Sequence, residues 1–432
     1  MRARPPVAAR GEGIFLIDAD GRRYLDACGG AAVSCLGHGH PGIAAAVAEQ
    51  TARLEFVHTG FFTSDTAEEL ATLIAGMSPG LDRVWYTSSG SEAVEAALKL
   101  ARQYHLERGD TGRSRVIARR LSYHGNTLGA LAAGGSQWRR APYTPLLIDV
   151  SLVDPCFEYR FAEPGESPEA YGRRAAVSLE QELIRLGPDT VMAFIAETVV
   201  GATAGAVPPV AGYLRRIREI CDSHGVLLIL DEVMCGSGRT GTFLSCEQDG
   251  VVPDIATLGK GLGGGYQPIG AVLCTKAVYD TIANGSGALM HGQTYNAHPV
   301  GCAAALAVQK VIEDEGLLGR VSVAGERLRS LLTERFGQHA NVGDIRGRGL
   351  LLAMELVADR ETRAPFDPAM RLHELAKSEA FARGLLIYPG GGTADGRAGD
   401  HILLAPPYNV TNDELDMIVD LLADTLSAVV PS

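Results

Sequence analysis

Apolar and amphipathic runs alternate through the middle of the chain. Short apolar runs predict buried strands, and longer runs with apolar positions three or four residues apart predict helices. The pattern predicts helices at 65–77, 92–107, 171–186, 213–223 and 299–313, and strands that start at Val84 or span 115–118, 191–196, 226–230, 255–258 and 269–274. Because strands and helices alternate, we expect an α/β fold with a mainly parallel sheet covered by helices.

The two ends of the chain follow a different pattern. A hairpin is predicted around Asp18-Ala-Asp-Gly21, and residues 151–175 are expected to form a surface excursion. The C-terminal part predicts helices at 320–336, 370–383 and 412–427 and strands at 342–345, 350–357, 385–388 and 402–405. We therefore expect a large domain at 59–314 and a smaller α+β domain formed by 1–58 and 315–432.

Composition excludes several classes of protein. The chain has 432 residues, a net charge of −12 and a pI near 5.4, so we expect no nucleic-acid partner and no anionic membrane surface. No apolar run approaches the ~20 residues of a membrane span, and the first residues lack the apolar segment of a signal peptide. A soluble, cytoplasmic protein is expected.

The cysteines and paired histidines favour structural roles. The eight cysteines are scattered without a C-x-x-C pair, which is typical of reduced core residues. His38 and His40 stand one residue apart without an obvious acidic or thiolate partner, and Pro41 follows them. A helix start at this proline is favoured over a metal site, and no metal is expected.

The stretch Thr257-Leu-Gly-Lys-Gly-Leu-Gly-Gly-Gly-Tyr266 carries the main chemical signal. It sets Lys260 among small uncharged neighbours, where desolvation favours a neutral, nucleophilic amine able to form a Schiff base. That chemistry belongs to pyridoxal phosphate. A dinucleotide site is less favoured, because no strand-end acid follows about 20 residues later. A phosphate-binding P-loop is excluded, because Gly261 rather than Ser or Thr follows the lysine.

Two acidic residues stand where strands are predicted to end. Glu197 and Asp231 follow apolar strands, and ligands of such sheets bind beyond the carboxyl ends of the strands. A carboxylate there needs a cationic partner. The protonated pyridine nitrogen of pyridoxal phosphate would serve Asp231, with a structural ion pair to Arg239 as the alternative.

A phosphate site is predicted before the helix at 92–107. Ser89, Gly90 and Ser91 offer hydroxyls and backbone N–H groups at the start of this helix, where anions bind well; a plain helix cap would need only one of them. Tyr123 stands at a strand end next to His124 and Gly125, which suits stacking on a ring.

Several motifs together resemble the class III aminotransferases. They are Ser88-Ser-Gly-Ser-Glu-Ala-Val-Glu-Ala-Ala, Tyr123-His-Gly-Asn-Thr, Asp231-Glu-Val with Gly238-Arg-Thr-Gly, Leu258-Gly-Lys-Gly-Leu-Gly-Gly-Gly and Gln293-Thr-Tyr. The resemblance covers nearly the whole chain. It implies fold type I of the pyridoxal phosphate enzymes and a homodimer, with a tetramer as the alternative, whose active sites lie at the subunit interface.

The resemblance also implies a role for each matching residue. Lys260 would hold the cofactor covalently and move a proton, and Asp231 would hold the ring nitrogen. The other implied cofactor contacts are Tyr123 and Val233 on the ring, His124 and Glu197 near it, Ser89, Gly90 and Ser91 at the phosphate, and Thr294 from the partner subunit.

The subgroup follows from three positions. Relatives that use glutamate commonly carry a glutamate where this chain has Ala202 and an arginine where it has Leu403. Arg397, in a glycine-rich loop, instead resembles the mobile arginine of the omega-amino acid and amine:pyruvate enzymes; a purely surface role is the alternative. Thr198 stands where the family usually has proline.

The expected reaction moves an amino group from an amine or omega-amino acid to a 2-oxo acid, with pyruvate as the expected acceptor. The alternatives are an aminomutase or racemase-like enzyme, an aminotransferase that uses 2-oxoglutarate, and a non-catalytic cofactor-binding or nucleotide-binding protein. Phe61, Phe62 and Tyr86 are expected at the mouth of the substrate pocket.

Overall fold

The computed structural model describes residues 5–430; residues 1–4, part of the segment in which no signal peptide is expected, and 431–432 lie outside the described residues. The strands are β1 (Ala8–Glu12), β2 (Phe15–Asp18), β3 (Arg23–Asp26), β4 (Arg83–Thr87), β5 (Arg115–Arg119), β6 (Val150–Val153), β7 (Val191–Glu197), β8 (Leu227–Asp231), β9 (Ile255–Leu258), β10 (Gly270–Cys274), β11 (Val342–Arg348), β12 (Leu351–Leu356), β13 (Leu385–Leu386), β14 (Tyr388–Gly391) and β15 (Asp400–Leu404). The helices are α1 (Gly29–Ala32), α2 (Pro41–Arg53), α3 (Asp65–Met77), α4 (Gly90–Glu107), α5 (Leu128–Ala133), α6 (Gln137–Arg140), α7 (Glu158–Phe161), α8 (Pro168–Leu186), α9 (Tyr213–His224), α10 (Lys276–Asn284), α11 (Pro299–Asp314), α12 (Leu317–Phe336), α13 (Leu372–Ala382) and α14 (Asn412–Val429).

A seven-stranded sheet forms the centre of the molecule. Its order is β4-β10-β9-β8-β7-β5-β6, and β10 runs antiparallel to both of its neighbours while the remaining pairs are parallel. The predicted mainly parallel sheet is confirmed. Because the chain direction reverses on each side of β10, strands β4, β5, β7, β8 and β9 all end at the same edge of the sheet.

Both faces of this sheet are covered. Successive side chains of a strand point to opposite faces, so Leu228 and Leu230 of β8 join the core beneath α8 and α9, whereas Leu227 and Ile229 join the core beneath α4. All residues of β7 and β8 are buried. This double burial is the physical reason that these strands are continuously apolar in the sequence.

Two smaller four-stranded sheets, β1-β2-β3-β13 and β11-β12-β15-β14, are formed by the flanking parts of the chain. They share a separate hydrophobic core with α12, α13 and α14. The single strand predicted at 385–388 is wrong, because Ile387 separates two short strands that enter different sheets. We propose that the chain divides as expected, into 59–314 and a small domain from 1–58 and 315–432.

The surface excursion predicted at 151–175 is only partly observed. Residues Val150–Val153 form the edge strand β6, which pairs with β5, and α8 begins at Pro168 rather than at residue 171. The Ser167 side chain accepts a hydrogen bond from the N–H of Ala170. A serine cap followed by proline is a helix start, whereas a four-residue edge strand is too short to stand out from sequence.

Candidate active site

Lys260 follows β9 and opens a single turn of 3-10 helix, Lys260–Leu262. Its φ is +44°, a left-handed conformation that costs a non-glycine residue free energy and is often held in place at functional sites. The side chain is half-buried. Burial lowers the pKa of Lys260, against the opposing effect of the nearby charges of Asp231 and Glu197. A larger fraction of this amine is therefore neutral and nucleophilic than in an exposed lysine.

Asp231 ends β8 and is buried in a set of donors. Its Oδ2 atom lies 2.7 Å from Nδ1 of His124, and its Oδ1 accepts from the N–H of Val233 at 3.0 Å and from the hydroxyl of Thr257 at 3.1 Å. The ring of His124 is buried as well, and its Nε2 has no hydrogen-bond partner within residues 5–430. The carboxylate is thus held in one orientation at the sheet edge.

Glu197 ends β7, the neighbouring strand, and is 5% exposed. Its carboxylate accepts from the N–H of Tyr123 at 3.2 Å and from the N–H of Gly201 at 3.0 Å. Burial raises the pKa of Glu197, and the negative charge of Asp231 adds to that rise, while His124 lowers it. Glu197 therefore ties the loop that carries Tyr123 to the sheet edge that carries Asp231.

The start of α4 lies against the same edge. The Ser89 hydroxyl caps the helix by accepting from the N–H of Glu92 at 3.2 Å, and the Ser91 hydroxyl accepts from the N–H of Asn126 at 3.1 Å. The N–H groups of the first helical turn have no acceptor within the helix. A Cβ on Gly90 would lie 2.7 Å from Cγ1 of Val233, so only glycine lets the two segments approach this closely.

Thr198 follows Glu197 and is fully buried. Its hydroxyl donates to Glu232 Oε1 at 2.6 Å, and its N–H donates to the carbonyl of Asp231 at 3.4 Å. Proline, the usual residue of the family here, has neither donor. The departure therefore adds two contacts between the ends of β7 and β8.

Within residues 5–430, the other predicted site residues form no side-chain hydrogen bond with this cluster. Thr294 is exposed, and Phe61 and Phe62 are 81% and 69% exposed on the surface of the single subunit. Tyr86 is 6% exposed, and its hydroxyl donates to the carbonyl of Ala67. The expectation that Tyr86 lies at a pocket mouth is corrected, because its side chain points from β4 into the core beneath α3.

Arg397 is exposed, on the loop between β14 and β15. The loop backbone is closed on itself: the N–H of Gly392 donates to the carbonyl of Gly399, and the N–H of Ala394 donates to that of Ala398. Asp395 Oδ1 accepts from two further N–H groups of the turn. Motion of Arg397 would thus come from its long side chain rather than from the glycine-rich backbone.

Arg239 and His38, for which the sequence left two roles open, each have defined partners in the structure. The guanidinium of Arg239 donates to the carbonyls of Leu350 and Pro406 and lies over the ring of Tyr408; the pairing with Asp231 is not formed. His38 does have an acidic partner, Asp26, at 3.0 Å, and α2 begins at Pro41 as predicted.

Among residues 5–430, no three or more His, Cys, Asp and Glu side chains come together as a potential metal site, and no helix there is long and apolar enough to cross a membrane. All eight cysteines are free and buried, which confirms their assignment to the core.

Two contributors to the site escaped the sequence reasoning. Thr257 donates to Asp231; a hydroxyl in an otherwise apolar strand was the available signal. Arg139 lies over the ring of Tyr123, with 4.9 Å between the guanidinium carbon and the ring centre. Nothing in the sequence around Arg139 distinguishes it from its neighbour Arg140, because this contact depends on how α6 packs.

The fold and this site define an aminotransferase of the lysine-dependent, α/β type. The family model described as "Aminotransferase class-III" matches residues 2–426. An uncharacterized aminotransferase of Schizosaccharomyces pombe is 44% identical over 99% of this chain and 94% of its own length. The chain belongs to the class III aminotransferases, and their fold type I is the fold described above.

Solved structures agree with this assignment. An (S)-enantioselective omega-transaminase from Thermomicrobium roseum has a TM-score of 0.93 and 36% identity, with 100% of this chain and 94% of that one covered. An amine transaminase from an uncultivated Pseudomonas species, solved in a PLP-bound form, has a TM-score of 0.93 and 38% identity, with 99% and 96% covered.

The residues present fit pyridoxal phosphate. The half-buried amine of Lys260, the oriented carboxylate of Asp231 and the open helix start at Ser89–Ser91 match its aldehyde, its pyridine nitrogen and its phosphate in chemistry. The close approach of Gly90 to Val233 leaves room where a side chain would intrude.

Proposed function

We propose that the protein uses pyridoxal phosphate to transfer an amino group from an amine or omega-amino acid to a 2-oxo acid, with pyruvate as the acceptor. The donor carbon is oxidised to a carbonyl, and the 2-oxo carbon is reduced to an amino acid, so no external oxidant or reductant is needed. Support comes from the family, from omega- and amine transaminase neighbours, and from Ala202 and Leu403 at the positions associated with glutamate.

The observation that carries most weight is the meeting of Lys260, Asp231 and Glu197 at one edge of the sheet, where burial lowers the pKa of the lysine. When bound, the cofactor supplies an electron-accepting ring. Lys260 anchors it and then moves the proton of the donor carbon with its Nζ atom. Asp231 would pair with the ring nitrogen, and its contacts with His124 and Thr257 keep it in place.

The remaining contacts orient the cofactor. Ser89, Gly90 and Ser91 bind its phosphate with the free N–H groups of α4 and nearby hydroxyls. Tyr123, whose backbone N–H donates to Glu197, and Val233 would hold the ring of the cofactor. Thr294, exposed in the single subunit, reaches the phosphate of the other subunit of a homodimer. The cytoplasmic location stays a prediction.

The test is the absorbance spectrum of the purified protein with added pyridoxal phosphate and a panel of amines. We expect the pyridoxal form to convert to the pyridoxamine form, and pyruvate to restore it faster than 2-oxoglutarate does. A pyridoxal spectrum that persists with every amine rejects the transfer. Product analysis separates an aminomutase, which would return an isomeric amine and consume no 2-oxo acid.

Replacing the anchor tests the role of Lys260. The variant Lys260→Ala should fold and bind the cofactor without covalent attachment, because the phosphate and ring contacts remain. Borohydride reduction followed by peptide mapping should label the wild-type peptide that contains Lys260 and should label no peptide of the variant. A labelled peptide in the variant would assign the anchor to another lysine.

A further inference from the structure

A cleft of about 970 Å³ lies beside the proposed ring-stacking residue. One wall belongs to the segment that follows β5 and includes Arg139, whose guanidinium lies over the Tyr123 ring. Ala202 and Thr203, from the loop after β7, also line it, and the Thr203 hydroxyl donates to the carbonyl of Leu121 at 2.6 Å. The cleft therefore adjoins the loops that hold Glu197 and Tyr123.

Arg139 has a charge without an acidic partner. No carboxylate of residues 5–430 forms an ion pair with it, and its buried Nε atom has no hydrogen-bond partner in that range. The guanidinium instead lies on two aromatic rings, at 4.9 Å from the centre of Tyr123 and 4.2 Å from that of Trp138. A guanidinium whose contacts are with aromatic rings keeps its N–H groups available for a carboxylate.

The opposite wall of the cleft is also positive. It includes Arg397. The two walls approach each other here, because a Cβ on the adjoining Gly396 would lie 3.9 Å from Cγ of Gln137 in α6. Lys377 adds a third positive charge to the lining. The acidic residue of the lining, Glu374, accepts from Arg371 at 2.9 Å, which leaves a positive surplus in the cleft.

We propose that Arg139 is a specificity-determining residue that binds a carboxylate on the amino donor, remote from the reacting amino group. This inference rests on the proposed transfer and narrows its donor to omega-amino acids rather than simple alkylamines. Arg397 then binds the carboxylate of the 2-oxo acid. The carboxylates of the donor and of the acceptor therefore bind to different walls of the same cleft.

The physical reason is the unmet hydrogen-bonding capacity of Arg139. A bound carboxylate would accept the N–H groups of the guanidinium in a bidentate, charge-assisted pair. An alkylamine would cover the same cation with methylene groups and leave it unpaired in a partly desolvated site, which is unfavourable. The preference for omega-amino acids therefore has two causes: the carboxylate attracts Arg139, and an alkylamine leaves Arg139 unpaired, which is unfavourable.

The experiment compares donors matched in length, gamma-aminobutyrate with butylamine and beta-alanine with propylamine, in the cofactor half-reaction. In Arg139→Gln we expect KM for the amino acids to rise about 10- to 100-fold, the effect of one charge-assisted pair, with constants for the alkylamines unchanged. Arg139→Lys should keep part of the preference, because it keeps the charge and loses the bidentate geometry. Lys276→Gln, a change of the same charge on an exposed residue of α10 that does not line the cleft, should leave the preference as in the wild type.

A second measurement is independent of turnover. Calorimetric titration with butanoate, which has no amino group, should detect binding to the wild-type holoenzyme and about 10-fold weaker binding to Arg139→Gln. Equal losses for amino acids and alkylamines would mean that Arg139 only positions Tyr123, and an unchanged donor preference would remove it from recognition; either result overturns the proposal. If no donor converts the wild-type cofactor, the transfer itself fails, and the titration still decides whether Arg139 binds a carboxylate.

Discussion

Among single residues, Thr198 shows most clearly how a departure from the family is accommodated. Glu232 is fully buried, directly after Asp231 in sequence, and burial raises its pKa. Its carboxylate accepts from the hydroxyl of Thr198 and from the N–H groups of Ser245 and Cys246 at 2.9 Å. Thr198 therefore helps to satisfy a buried acid next to the proposed ring-nitrogen partner.

Removing that hydroxyl should destabilise the fold. The variant Thr198→Val keeps the shape of the side chain but loses the donor to Glu232, and we expect unfolding free energy to fall by about 1 to 3 kcal/mol. Thr198→Ser, which keeps the hydroxyl, is the matched control and should lose less. Chemical denaturation of both variants measures the difference; equal stability of the valine and serine variants would show that the bond contributes nothing net.

Among the helices, α4 acts through its first turn. The N–H of Glu92 is capped by the Ser89 hydroxyl, whereas those of Gly90 and Ser91 have no acceptor within residues 5–430, and Gly90 lets Val233 approach them. In Gly90→Ala the new methyl group would lie 2.7 Å from Cγ1 of Val233, so Val233 must move from its position beside the proposed ring site. Overpacking of this kind costs about 1 to 3 kcal/mol, and we expect cofactor affinity to fall by a comparable amount.

Equilibrium dialysis of pyridoxal phosphate with the wild type and with Gly90→Ala measures this loss of cofactor affinity. Gly76→Ala is the control, because a Cβ there meets nothing within 4 Å near the end of α3. That variant should bind the cofactor as the wild type does. Unchanged affinity in Gly90→Ala would separate the start of α4 from the phosphate site.

The loop between β14 and β15 presents Arg397 from a closed backbone turn. In Arg397→Ala we expect the 2-oxo acid half-reaction to weaken by about 10- to 100-fold, the effect of one charge-assisted pair. The half-reaction with an alkylamine should barely change, because that donor has no carboxylate. Stopped-flow absorbance of each half-reaction is the measurement; equal losses in both would place Arg397 outside carboxylate recognition.

Over the molecule as a whole, one surface exposes large apolar side chains close together in sequence or space. Phe61 and Phe62 are 81% and 69% exposed, and Met290 and Tyr295 are 76% and 59% exposed. The ring of Phe56 lies 5.8 Å from that of Tyr295, which brings the two segments together. Exposed apolar patches of this kind mark interfaces between proteins, and Thr294 adjoins Tyr295 in this patch.

A double substitution tests whether this surface forms the proposed homodimer. Phe61→Asp with Phe62→Asp places two charges in the patch, and burial of unpaired charges is strongly unfavourable. We expect light scattering after gel filtration to give the dimer mass for the wild type and the monomer mass for this variant. Val323→Asp, at a residue that is 74% exposed on α12, is the control and should stay dimeric.

Local pattern predicted much of this molecule. The strands that are buried on both faces were predicted from their continuous apolar runs. Local sequence also singled out the lysine, the acids at the strand ends and the hydroxyl-rich start of α4. The edge strand β6 and the split of 385–388 between two sheets were not predicted, because short strands have little pattern of their own.

The sequence by itself determined which groups are available: an amine at Lys260, carboxylates at Glu197 and Asp231, and hydroxyls and backbone N–H groups at the start of α4. Only the tertiary structure decided which groups meet. The pairing of Asp231 with His124 instead of Arg239, the burial of Tyr86, and the position of Arg139 over Tyr123 all join residues far apart in the chain. Such contacts depend on how helices and loops pack around the sheet edge, and no periodicity along the sequence records that packing.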